Sequence, residues 1–194
     1  MIRKLFPADI LSSADYVAVR EEKRAALAES RRLRRIAVGP FAMFMFESYD
    51  TMWLQVHEML RIEKGGDEQL AGELEAYNPL IPSGRKLVST LMLEISDPAR
   101  RGHELRQLGG IEEKIFLRVG DAMIRGMPEM DQKRTDEEGR TSSVHFLHFR
   151  FTPEQIVDFS DYAVPAVLEV DHPNYAYATG LMPKMRAELA RDFA

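Results

Sequence analysis

The chain has 194 residues, 45% of them hydrophobic and none of them cysteine, with a formal net charge of -5. That length and apolar content can fill one good core, so a single domain over residues 1–194 is expected. The missing cysteines exclude disulfides, a thiolate nucleophile and cysteine-ligated zinc or iron–sulfur clusters, and the acidic balance disfavours a general phosphate-binding surface.

The opening stretch Met1 to Pro7 is basic but reaches Asp9 before any apolar run long enough for a signal peptide. No run approaches the roughly 18 apolar residues of a membrane helix. A cytoplasmic protein without membrane attachment is the expectation. A first helix is predicted from Ser13 to Arg35, capped by Ser12, with Tyr16, Val19, Ala26, Leu27 and Leu33 as its stripe. Arg31, Arg32, Arg34 and Arg35 crowd its last turn, where cations complement the helix macrodipole.

Ile36 to Val38 and Phe41 to Phe46 read as strands joined at Gly39-Pro40. Phe41, Met43 and Met45 face one way and Ala42, Phe44 and Phe46 the other, so this strand is either covered on both sides or lends a face to self-association. Asp50 is placed to cap a helix from Thr51 to Lys64, ended by Gly65-Gly66, and Asp67 to cap another from Glu68 to Tyr77. Lys86 to Ser96 alternates as a core strand, with Leu87, Leu91, Leu93 and Ile95 inward and Val88, Thr90, Met92 and Glu94 on the reverse face.

Asp97-Pro98 opens a short helix to Leu108, Lys114 to Val119 is a strand, and Asp121 to Arg125 continues that sheet. Residues 128–142 are highly charged and nearly free of apolar side chains, which predicts a mobile excursion. Ser143 to Phe151 is the clearest strand, and Thr152-Pro153-Glu154-Gln155 carries the signature of a capping box. A strand pair, Val164 to Val170 and Tyr175 to Thr179, precedes a closing amphipathic helix from Pro183 to Phe193. Strands that follow one another directly, interleaved with helices, predict an α+β fold with a mostly antiparallel sheet and helices packed on it.

Gly65-Gly66 and Gly109-Gly110 lack the further glycines and the lysine of nucleotide-binding loops, and no nucleophile elbow or H-E-x-x-H helix occurs. His145 and His148 sit on opposite faces of their strand, so they do not chelate together. Among Leu147, Phe149 and Phe151, His145 reads as a hydrogen-bonded structural histidine; His148, beside Arg150, faces a more polar surface. Helical spacing carries Glu63 toward the core, and Glu94 shares a strand face with Val88 and Met92. A buried carboxylate needs a partner or a proton. Glu63, Glu94 and His148 are therefore candidate ligands for a divalent metal: iron, manganese or zinc.

Several strings together resemble a bacterial family of small soluble proteins of unknown function. They are Asp9-Ile10-Leu11, Val38-Gly39-Pro40, Phe46-Glu47, Glu58-Met59-Leu60-Arg61, Tyr77 to Pro82 and Thr90 to Ile95, with a looser likeness beyond Asp97. The resemblance adds Glu47, Glu58 and Arg61 as polar candidates. It also implies a redox or stress-related setting, since relatives are often encoded near rubrerythrin-like and iron–sulfur oxidoreductase genes. Three functions are weighed: a non-catalytic binding or accessory protein that docks to a redox partner or to itself, a small metal-dependent enzyme, and nucleic-acid binding through Arg31 to Arg35. The first leads, and the third is disfavoured by the net charge.

Overall fold

The computed structural model describes residues 3–129, 135–136 and 139–193, with the side chain of Asp67 outside that description. Among the described residues, six α-helices surround one eight-stranded sheet in which every pairing is antiparallel. The helices are α1 (Ser13–Arg34), α2 (Tyr49–Glu63), α3 (Gly66–Tyr77), α4 (Pro98–Gln107), α5 (Pro153–Ser160) and α6 (Pro183–Ala190). The strands are β1 (Arg35–Val38), β2 (Ala42–Phe46), β3 (Lys86–Leu93), β4 (Ile115–Val119), β5 (Ala122–Pro128), β6 (Val144–Arg150), β7 (Ala166–His172) and β8 (Tyr175–Gly180). The α+β class with an antiparallel sheet is as expected. No described helix is long and apolar enough to cross a membrane.

The strands run in the order β1-β2-β3-β6-β5-β4-β7-β8. The sheet curls until its two edges meet, making a nearly closed barrel. The Tyr175 hydroxyl on β8 donates to the Val38 carbonyl at 2.7 Å, and Thr179 donates to the Ala37 carbonyl at 2.7 Å. Gly39, at φ +70°, makes the β1–β2 turn against this seam. A Cβ there would lie 2.6 Å from the Tyr177 ring, so both the backbone and the packing require glycine.

Alternation along the strands puts Phe44, Phe46, Leu87, Leu91, Leu147 and Phe149 inside the barrel, all fully buried. Phe151, Phe159 and Phe193 stack edge to face beside them. A second, smaller core lies outside the barrel, where α2 and α3 cover the reverse face of β3 and β6; Met52, Val56, Leu74 and Val88 fill it. The inward face of β2 is fully buried, while Met43 and Met45 on its reverse face are half-buried, Met45 at a cavity beneath α1.

Several boundaries differ from expectation. Helix α2 starts at Tyr49 and is capped by Ser48 rather than Asp50, because the Ser48 and Thr51 side chains each bond the other's backbone amide. It stops at Glu63, with Lys64 taking the left-handed conformation at φ 56°. Helix α3 begins at Gly66, ahead of Asp67, whose expected capping side chain lies outside the described residues. Strand β5 turns back on β4 as a hairpin at Gly120. In the charged excursion, residues 130–134 and 137–138 fall outside the description, while Thr135 bridges to Thr141. The Thr152 and Gln155 capping box of α5 forms as predicted.

Candidate functional site

Between α1, α2 and the outer face of the sheet lies a cavity of about 470 Å³. Its floor follows from strand register. Met45, Thr90 and Phe146 align across β2, β3 and β6, and Met92 and Val144 form part of the next row. Thr51, Gln55 and Glu58, spaced to share one face of α2, make one wall. Arg20, Arg24 and Arg31 of α1 make the other.

Glu47 is the buried polar group of this cavity, 6% exposed at the end of β2. Its backbone is fixed by a bond from its amide to the Val88 carbonyl and by one from the Arg34 guanidinium to its own carbonyl. Thr90 donates to Oε1 at 2.6 Å, and the Thr51 hydroxyl lies 2.7 Å from Oε2. Burial pushes the Glu47 carboxyl up, against the opposing pull of the two threonines and of Arg31 and Arg34. The hydrogen-bond pattern suits the neutral acid. Thr51 also lies 3.1 Å from the Ser48 carbonyl, and one hydroxyl proton cannot serve two acceptors. With a proton on Oε2, Glu47 donates to Thr51 and Thr51 donates to Ser48, which satisfies every group.

Glu58 behaves in the opposite way. Bonds from Arg20, helped by Tyr16 and Arg61, hold its carboxyl down to about 2. The same contact and burial raise the Tyr16 hydroxyl, burial first. Glu58 is therefore a fixed anion already matched by cations. Arg24 approaches only Glu21, at 3.8 Å, and Arg31 has no carboxylate within ion-pair reach among the described residues.

Of the sequence candidates, Glu47 and Glu58 line the cavity, and Arg61 bonds Glu58. Glu63, Glu94 and His148 are not brought together. Glu63 is exposed at the end of α2 and bonds Gln69; Glu94 lies past the end of β3 and pairs with Arg35 at 2.7 Å. His148 faces Glu129 at 3.4 Å, and burial, with Lys86 and Arg150 beside it, lowers its imidazole to about 4. Among the described residues no group of three or more His, Asp or Glu side chains could hold a metal ion.

His145 points inward and bonds the Ser142 carbonyl at 2.9 Å, as a structural histidine does. His57, which helical spacing placed off the apolar stripe of α2, is also structural: it donates from Nδ1 to the Trp53 carbonyl and accepts from the Leu11 amide at Nε2. The basic cluster is divided. Arg32 pairs with Glu29, Arg34 is buried between Glu188 and Asp192, Arg35 pairs with Glu94, and Arg31 faces the cavity. Sequence reading missed Thr51, Thr90, Arg20 and Arg24. A signal was present in the helical spacing of Arg20, Arg24 and Arg31, which puts all three on one face of α1.

A search of curated proteins finds no match. Among solved structures, the chain is similar to a crystal structure described as a novel protein of unknown function from Burkholderia pseudomallei K96243. The two share 33% identity and superpose with a TM-score of 0.90, over 99% of this chain and 100% of the other. The family model described as "Protein of unknown function (DUF3501)" matches residues 4–193, so nearly the whole barrel and its helical cover are family features, and the chain belongs to that family.

Proposed function

We propose that this protein binds a small molecule in the cavity between α1, α2 and the sheet. The observation that carries the reading is a space of ligand size with an apolar floor and a buried carboxyl, Glu47, held at its side by Thr51 and Thr90. A volume of about 470 Å³ lies within the range of roughly 300–1,000 Å³ typical of ligand sites, where apolar walls supply affinity and a few polar groups fix orientation. The apolar part of the ligand lies on Met45, Met92, Val144 and Phe146, and Thr90 and Glu47 offer hydrogen bonds at one side. A binding protein of this kind fits the accessory role, in a redox or stress-related setting, that the family resemblance implies.

The test uses the neutral fluorescent probe N-phenyl-1-naphthylamine. Saturable binding near one probe per chain is expected, weakened at least about tenfold in Met92→Trp, where the indole fills the cavity from its floor. Circular dichroism checks that the variant is folded. Absent binding, or equal binding by both proteins, counts against the proposal.

A further inference from the structure

The face that α1 turns toward the cavity is lined with cations. Arg20, Arg24, Arg31 and Arg34 fall within an arc of about 80° at 100° per residue; Arg34 is buried, Arg20 is half-buried, and Arg24 and Arg31 are exposed at the cavity rim. Two have structural partners. Arg20 is bonded to Glu58, and Arg34 is enclosed by Glu188 and Asp192. Arg24 meets only the solvent-exposed Glu21, at 3.8 Å, Arg31 has no carboxylate within ion-pair reach among the described residues, and both line the cavity. The acids that face them do not balance this charge. Glu58 is shared by Arg20, Arg61 and Tyr16, and the Glu47 carboxyl is turned to Thr51 and Thr90.

The cavity therefore joins an apolar floor to a rim with surplus positive charge. Guanidinium forks match planar or tetrahedral oxyanions, and their charge is felt more strongly beside an apolar wall than in open water. Resting on the binding function proposed above, we infer that the ligand is an amphiphilic anion. Its carboxylate or phosphate head is held by Arg24 and Arg31, and its apolar tail lies over Met45, Met92, Val144 and Phe146. Burial raises the Glu47 carboxyl, which weakens its repulsion of the head group.

The experiment displaces N-phenyl-1-naphthylamine from the full chain with decanoate, decyl phosphate, decanol and decyltrimethylammonium, which share one tail and differ in charge. Decanoate or decyl phosphate is expected to compete at least about tenfold more tightly than decanol, and decyltrimethylammonium more weakly still. The double variant Arg24→Gln, Arg31→Gln should lose that advantage while keeping its affinity for the neutral probe, which shows that its cavity is intact. If decanoate leads, the head group is a carboxylate; if decyl phosphate leads, it is a phosphate. Anions that compete no better than decanol, or as well in the double variant as in wild type, overturn the inference and leave the binding function standing. If the neutral probe itself fails to bind, the binding function falls first.

Discussion

Glu47 links burial to pH. Its carboxyl is raised above the ordinary value of 4.5, so the folded protein keeps a proton that the unfolded chain releases. That contribution to stability is complete below the ordinary value and is lost as pH rises through the raised folded value. Glu47→Gln reproduces the neutral acid, with an amide that donates toward Thr51 and a carbonyl that accepts from Thr90. Urea midpoints for wild type and variant should therefore diverge in the variant's favour as pH rises above the ordinary value of 4.5. Parallel profiles would show that Glu47 is charged in the fold. The sequence displayed this residue at the end of an apolar strand, but its environment depends on Thr90, 43 positions away, and on α1 crossing above it. Glu63 shows the converse. Helical spacing aimed it at the core, yet the helix ends at Glu63 itself and leaves it in water.

Local signals in the elements were read well where the stabilising contact is also local. The Thr152 and Gln155 capping box, the Asp97 cap of α4 and the Gly39-Pro40 turn all join residues a few positions apart. The start of α2 was missed because Ser48 and Asp50 are both good caps, and the choice fell to Ser48 through its reciprocal bonds with Thr51. Distance in sequence also hid Arg186 of the closing helix. It is buried and donates to the carbonyls of Asp158, Phe159, Asp161 and Val164, including the unsatisfied end of α5. Arg186→Met should cost about 3 kcal/mol in urea unfolding, chiefly by leaving the Phe159 and Val164 carbonyls without their donor. Arg186→Lys should recover little, since one ammonium lacks the planar fork. A loss below about 1 kcal/mol would mean that water replaces the guanidinium.

Across the whole molecule, the α+β class and the antiparallel sheet could be read from the run of strands, but closure could not. The seam joins β1 to β8 through the Tyr175 and Thr179 side chains, and nothing in the alternation of either strand announces a partner more than 130 residues away. A seam held by side chains opens more readily than one held by a backbone ladder. In hydrogen exchange, the seam-facing amides of β1 and β8 should exchange well before those of β3 and β6. Tyr175→Phe should speed the seam further and leave β3 and β6 unchanged, whereas uniform exchange across the sheet would contradict this order of opening. The pleat has one more effect. Along β2 and β3, Phe44, Phe46, Leu87 and Leu91 point into the barrel, while Met45, Thr90 and Met92 point into the cavity, one position away in each case. Folding and molecular recognition are thus encoded at alternate letters of the same two segments. Descendants of this chain can change their ligand at the outward letters while the inward ones, and the barrel they build, remain as they are.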